Sequence, residues 1–271
     1  GISYGFSFWN DWELGFIETT GYIIETLLNY GELKNKPIYF KIGKNLADWL
    51  VENQLPSGGF RTGYKKTNNP LPCVFNTGQV IFGLIKMYEH SHEEKYLLSA
   101  KKAGDWLVKI QNNKPTWMVN TYMNIPHVYN TRTSWAILEL FKITKQYEYF
   151  QAAKKHLDWA LTQKNEKFWF NNNNFFINSA TFTHNIGYTI RGFLESGIIL
   201  ENEEYINTAI KVADVLYNLF NKNGVLYGDY DDNWKCKRRY MCCTGSAQIA
   251  IIWFKLYELT KSKKYFIAAL K

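Results

Sequence analysis

Five tyrosines give this chain a period. Tyr39, Tyr96, Tyr149, Tyr205 and Tyr265 follow one another at steps of 57, 53, 56 and 60 residues, each inside a short stretch such as Lys95-Tyr96-Leu97-Leu98-Ser99-Ala100. Nine residues after each of the first four comes Asp48, Asp105, Asp158 or Asp214, followed by Trp49, Trp106, Trp159 and, in the degenerate fourth copy, Val215. Gln54, Gln111 and Gln163 close the unit, ahead of a turn and an aromatic residue at Phe60, Trp117 or Trp169. Self-similarity at this spacing marks one supersecondary unit copied along the chain, which buries its apolar face against its neighbours.

Each unit reads as two helices. Ile38 to Gln54, Lys101 to Gln111 and Lys154 to Gln163 carry apolar residues at helical spacing with Lys opposite, the pattern of half-exposed helices. The alternate segments, Gly21 to Tyr30, Gly78 to Tyr88, Thr133 to Ile143, Ile186 to Leu200 and Ser246 to Leu259, are apolar nearly all round, which predicts burial. The alternation predicts an all-α barrel of helical hairpins with an inner and an outer ring. With 46% apolar and 17% aromatic residues, positions 1–271 can bury one large core, so a single domain of about five hairpins is expected. The chain starts at Gly1 and stops at Lys271, partway through the fifth outer helix, and reads as trimmed at one or both ends.

The inner helices start alike. Thr20-Gly21, Asn76-Thr77-Gly78, Asn130-Thr131-Arg132, Thr183-His184-Asn185 and Cys243-Thr244-Gly245 each offer a small polar residue expected to cap the helix. Helix N-termini gathered at one end of a barrel suit an anionic ligand. The repeat places Glu18, Asn76, Gln79, His127, Tyr129, Asn130, Arg132, His184, Asn185, Tyr188, Arg191, Tyr240 and Gln248 on that rim, with Trp9, Trp12, Trp117 and Trp234 on the connecting loops. His90, His92 and His156 read as outer or surface residues, and the Asp-Trp pairs as scaffold. Arg132 and Arg191 need a partner, either Glu18, Glu25, Glu139 or Glu195 or a ligand anion.

The net charge of +8 comes from 32 basic and 24 acidic residues dispersed along the chain, without finger or helix-turn-helix spacing, which argues against nucleic acid and fits a Lys-rich solvated surface. No apolar run suffices to span a bilayer and no signal peptide is visible, so a soluble protein of unassigned compartment is expected. Cys73, Cys236, Cys242 and Cys243 lack the paired spacing of a zinc site, and neither metal nor cofactor is expected.

The pattern Trp49-Leu50-x-x-x-Gln54-x-x-x-Gly58-Gly59-Phe60 resembles the QW repeat of squalene–hopene-type cyclases. The alternating hairpins resemble the α/α toroid (six-hairpin-like) shared by those cyclases, glycoside hydrolases and polysaccharide lyases. Glu18-Thr19-Thr20-Gly21-Tyr22-Ile23-Ile24, His127-Val128-Tyr129-Asn130-Thr131-Arg132 and Thr183-His184-Asn185-Ile186-Gly187-Tyr188 look like toroid proteins encoded with polysaccharide genes. The resemblance implies a carbohydrate polymer or oligosaccharide as partner, while one scaffold hosts many chemistries.

A rim rich in His, Tyr, Asn and Arg suits removal of the C5 proton of a uronic acid, because the adjacent carboxylate must be neutralised as charge develops. Arg132 and Asn185 fit the neutralising role, His184 or His127 the base, and Tyr188 or Tyr240 the acid. The outcome is β-elimination, or C5 epimerisation if the proton returns on the other face. Hydrolysis would instead use two carboxylates, here Glu18 with Asp229 or Asp231. A glycan-binding module without catalysis is a third reading. A fourth is a terpene-cyclase-like enzyme, suggested by Asp229-Tyr230-Asp231-Asp232, which matches the DxDD acid motif of class II terpene cyclases and requires Asp231 in an enclosed apolar cavity.

Overall fold

The computed structural model describes residues 1–9, 11–63 and 68–271, which divide into two compact units. The first comprises residues 1–124 and 136–153, and the second 125–135 and 154–271.

In the first unit a two-stranded hairpin, β1 (Phe6–Ser7) paired antiparallel with β2 (Asp11–Trp12), precedes the helices α1 (Ile17–Lys34), α2 (Pro37–Glu52), α3 (Val74–Ser91) and α4 (Glu94–Gln111). Helix α1 packs on α2 and α3, and α3 on α4. Helix α3 is buried almost all round from Val74 to Ile85, as its uniform apolarity predicts. Two further helices, α5 (Thr131–Thr144) and α6 (Tyr147–Thr162), each contribute to both units. The second unit continues with α7 (Thr183–Leu200), α8 (Glu203–Asn223), α9 (Cys243–Thr260) and α10 (Lys263–Ala269). There α7 packs on α8 and α9, and α9 on α10. The strands β3 (Thr181–Phe182) and β4 (Asp229–Tyr230) pair antiparallel ahead of α7 and α9, with Thr181 opposite Tyr230 and Phe182 opposite Asp229. Among the described residues no helix is long and apolar enough to cross a membrane.

The repeated tyrosines and aspartates turn out to be partners across copies. Tyr96 donates its hydroxyl to Asp48 (2.7 Å), Tyr149 to Asp105 (2.6 Å), Tyr205 to Asp158 (2.5 Å) and Tyr265 to Asp214 (2.6 Å). Each clasp ties one amphipathic helix to the equivalent helix of the next copy, and all four tyrosine rings are buried. Burial, together with the aspartate, pushes these phenols above their ordinary pKa, so each stays a donor. The repeated glutamines act alongside: Gln54 Nε2 donates to the carbonyls of Gly58 and Ser99, and Gln111 Nε2 to that of Ala152. The glycine of the QW-like motif has a steric reason. Gly58 sits at φ +97°, and a Cβ there would lie 2.4 Å from the Lys102 carbonyl.

Three expectations are corrected. The small polar residues at the starts of the buried helices lie inside the first turn, where a hydroxyl cannot cap its own helix. They fasten neighbouring chain instead: Thr77 Oγ1 accepts from Phe60 N (2.9 Å), Thr183 Oγ1 donates to the Tyr227 carbonyl (2.5 Å), and Thr20 Oγ1 accepts from Ile2 N (2.9 Å). At α9 the residue before the helix caps it, through the Cys242 sulfur that accepts from Gly245 N, as Asn202 does at α8 by accepting from Tyr205 N (3.0 Å). Helix α9, the most apolar segment, leaves Ile251 46% exposed. His156, read as an outer residue, is fully buried on α6 and hydrogen-bonds the Val128 backbone.

Candidate active site

The sequence-predicted residues that come together do so in the second unit, around the first turn of α7. A run of four asparagines, Asn171 to Asn174, is fastened from several sides. The Asn172 carbonyl accepts from Val128 N (2.9 Å), the Asn173 carbonyl from Asn185 Nδ2 (3.2 Å), and Asn173 Oδ1 from Thr189 Oγ1 (2.8 Å). This anchoring sets Phe175 between three rings, with centroids 5.7 Å from Tyr129, 5.7 Å from Phe182 and 5.8 Å from His184. His184 itself stacks on Phe182 (5.4 Å, 10°) and meets Tyr188 edge-on (5.8 Å, 74°). Its Nδ1 lies 3.9 Å from the Cys242 sulfur, while its Nε2 has no hydrogen-bond partner among the described residues. Burial pushes its pKa down to about 4, so the imidazole is neutral at neutral pH and one nitrogen can accept a proton.

Arg132, in the first turn of α5, is half-buried, and its guanidinium lies 5.4 Å from the ring centres of both Trp135 and Tyr188. Arg132, Tyr188 and His184 therefore form one contiguous group. Arg191 adjoins this group through Trp135, whose ring centre is 4.9 Å from its guanidinium, while its Nε donates to Glu195 (2.5 Å), a carboxylate that Lys255 of α9 shares (2.9 Å). Tyr240 is 38% exposed, and burial followed by the nearby Asp229 raises its pKa, which keeps the phenol protonated. Gly228 allows the approach of this ring, since a Cβ there would sit 2.2 Å from it.

Other expected site residues take supporting positions. His127 and Asn185 are fully buried, Tyr129 and Asn130 nearly so, with His127 stacked on Tyr129 (4.6 Å). Periodicity could not show this depth. Asn185, expected to neutralise substrate, spends its amide N–H on the Asn173 carbonyl. Gln248 lies against Gly187. Trp234 is held by its indole N–H on the Lys167 carbonyl (2.9 Å) and its ring against Trp169. In the first unit, Asn76 donates to the Arg61 carbonyl (3.0 Å) and Gln79 to that of Phe75 (3.2 Å), both from buried positions. Trp117 is fully buried with its indole N–H on the Leu107 carbonyl (2.9 Å), so it is a core residue and offers no face to a sugar. Glu18 is half-buried in the first turn of α1. Trp9 and Trp12, on the β1–β2 hairpin, are 93% and 70% exposed.

Asp229 and Asp231 are each held by nearby hydrogen-bond donors. Asp229 is fully buried, and its carboxylate takes Arg238 Nε (2.8 Å) and the backbone N–H groups of Lys237 (3.2 Å) and Arg238 (3.1 Å). For Asp231 burial acts to raise the pKa, but the N–H groups of Lys235 and Asn233 and the charge of Lys237 outweigh it, and the net shift is downward. Asp231 lines a cavity of about 500 Å³ walled by Asn171, Asn172, Asn174, Asn178 and Ser179. An ionised carboxylate among amides is the reverse of an alkene-protonating acid in a dry pocket, so the cyclase reading is not supported.

These hairpins are those of an α/α toroid, the fold of the carbohydrate-active proteins this chain resembles. Residues 74–244 match the model of the ulvan lyase N-terminal domain, and the chain belongs to that family. No curated protein sequence matches it. Among solved structures it is similar to a sugar epimerase from a ruminal bacterium (13% identity, 93% of this chain and 73% of that one, TM-score 0.73). It is also similar to an unsaturated glucuronyl hydrolase from a Bacillus species (16% identity, 93% and 71%, TM-score 0.70). A third is an α-1,6-mannanase of a Salegentibacter species (17% identity, 86% and 68%, TM-score 0.68). At these identities the likeness concerns the fold.

Phe175, Phe182, Asn173 and Arg238 were missed by the sequence reading. The four-asparagine run ahead of two phenylalanines was the available signal for Asn173 and Phe175, since such a run seldom serves a helix.

Proposed function

We propose that this chain is a polysaccharide lyase acting on a uronate-containing glycan by β-elimination. The observation that carries the reading is the contiguous group of a neutral, part-exposed His184 against Tyr188, with the Arg132 guanidinium over the same tyrosine. In this scheme His184 Nε2 takes the C5 proton, and Arg132 balances the carboxylate as negative charge spreads onto it. The electron pair forms the C4–C5 double bond, the C4–O bond breaks, and Tyr188 supplies the proton to the leaving oxygen. Membership of the ulvan lyase N-terminal family supports the same reaction class. Tyr240 is a second choice of acid, favoured by its greater exposure. Hydrolysis needs one protonated and one ionised carboxyl; Asp229 is committed to Arg238 and the Asp231 pKa is lowered, so Asp231 suits only the ionised role and the protonated one would fall to Glu18.

The test is to incubate the protein with acidic and neutral polysaccharides while following ultraviolet absorbance and reducing ends together. New absorbance with new reducing ends on acidic chains is expected. His184→Ala and Tyr188→Phe should retain binding and lose turnover by about 100-fold or more; a defect in Tyr240→Phe alone would move the acid there. Reducing ends without absorbance would mean hydrolysis, and unchanged affinity with no product from the unmodified protein would mean a binding module.

A further inference from the structure

The DxDD motif is left without a catalytic task, yet its first aspartate is the most completely buried acid in the second unit's β ribbon, at 0% exposure. A buried carboxylate is costly unless paired. Here the pairing is complete on one side and open on the other. Asp229 Oδ1 accepts two backbone N–H groups from the 237–238 segment and Oδ2 accepts Arg238 Nε, which wraps that segment around the acid. The Arg238 side chain remains 63% exposed. Its terminal Nη groups have no partner among the described residues. The guanidinium plane is steadied by two rings, with Phe182 and Tyr240 each 5.7 Å away. Phe182 is the ring on which His184 stacks.

Two guanidinium groups thus border His184, Arg132 through Tyr188 and Arg238 through Phe182. We infer that Arg238, held by the buried Asp229, is a specificity-determining residue that reads a carboxylate of the bound glycan, so that the Asp229–Arg238 pair selects acidic chains. An arginine fixed through Nε presents its two Nη groups as a ready fork for a carboxylate, and because the fork is already ordered little freedom is lost on binding. A lysine at this position would lack both the anchor and the fork. The inference rests on the reading of the substrate as a uronate glycan.

The experiment measures affinity by calorimetry for a polyuronate and for the same polymer after its carboxyls are reduced to alcohols. A His184→Ala background keeps the chain intact during titration. Arg238→Gln should weaken binding of the acidic polymer by about 10- to 100-fold and that of the reduced polymer by less than about twofold. Arg238→Lys should fail to restore the preference, and Asp229→Asn, which keeps an acceptor for the two backbone N–H groups, should lose part of it. An equal loss for both polymers, or none for either, overturns the assignment. The two readings fail separately: an unmodified protein that binds the polyuronate yet yields no unsaturated product sinks the lyase reading and leaves the clamp, whereas normal turnover with an unaltered preference in Arg238→Gln sinks the clamp alone. Binding of neither polymer overturns both.

Discussion

Two histidines show how much burial decides at the scale of one residue. Burial lowers the His184 pKa to about 4, against about 6.5 for an exposed histidine. If its neutral form is the base, kcat/KM of the free enzyme should stay level from pH 7 down to about 5 and fall tenfold per pH unit only below about 4. An acid limb centred near 6.5 would show that another group is the base. His156 is fully buried, and burial pushes its pKa down to about 3. Below pH 6.5 the unfolded chain takes up protons at both positions while the folded chain does not. Stability is therefore complete above about 6.5 and declines as pH falls toward 3 to 4, by up to about 1.4 kcal/mol per pH unit for each histidine. His156→Gln should lower Tm at pH 7 yet narrow the Tm difference between pH 7 and pH 5. An unchanged difference would count against this linkage. Sequence carried no sign of either depth, because a histidine at helical spacing reads the same whether it meets water or a neighbouring backbone.

At the scale of the element, the structure turns on contacts between one copy and the next. The Tyr149–Asp105 clasp joins α6 to α4 with a buried ring and a charge-assisted hydrogen bond. Tyr149→Phe keeps the ring and removes the donor, and should cost about 1.5–3 kcal/mol, read as a lower urea midpoint with unchanged slope. A change in slope would mean that the clasp also shapes the unfolded or partly folded state. The short ribbon of β3 and β4 bears on the site in a similar way, since its partner loop carries Gly228 beneath the Tyr240 ring. Gly228→Ala should displace that ring and alter the Tyr240 phenol's fluorescence or reactivity while helical content stays the same. Sequence showed that Tyr and Asp recur in step, and the period of nine residues between them hinted at one helix. It did not show that each Tyr serves the Asp of the preceding copy, a pairing that arises only when neighbouring hairpins pack.

For the whole molecule, a charge of +8 against an acidic polymer makes binding depend on salt. Affinity for a polyuronate should drop markedly between about 0.05 and 0.5 M NaCl, a range in which the screening length falls several-fold. Affinity for a neutral glucan should hardly move, and equal salt sensitivity for both would remove charge from the account of recognition. The sequence by itself determined the repeat and the alternation of buried and amphipathic helices, since both follow from period and from apolar spacing, and its resemblance to a known family supplied the α/α-toroid class. Only the tertiary structure decided which of those polar residues reach solvent. Trp117 and Asn185 went into the interior because the carbonyls of Leu107 and Asn173 accept their N–H groups there, and Arg238 came out because its partner Asp229 is buried beneath it. In each case the partner lies across a turn or loop, outside the helical period, and side-chain periodicity records the direction a residue faces without recording what waits in that direction.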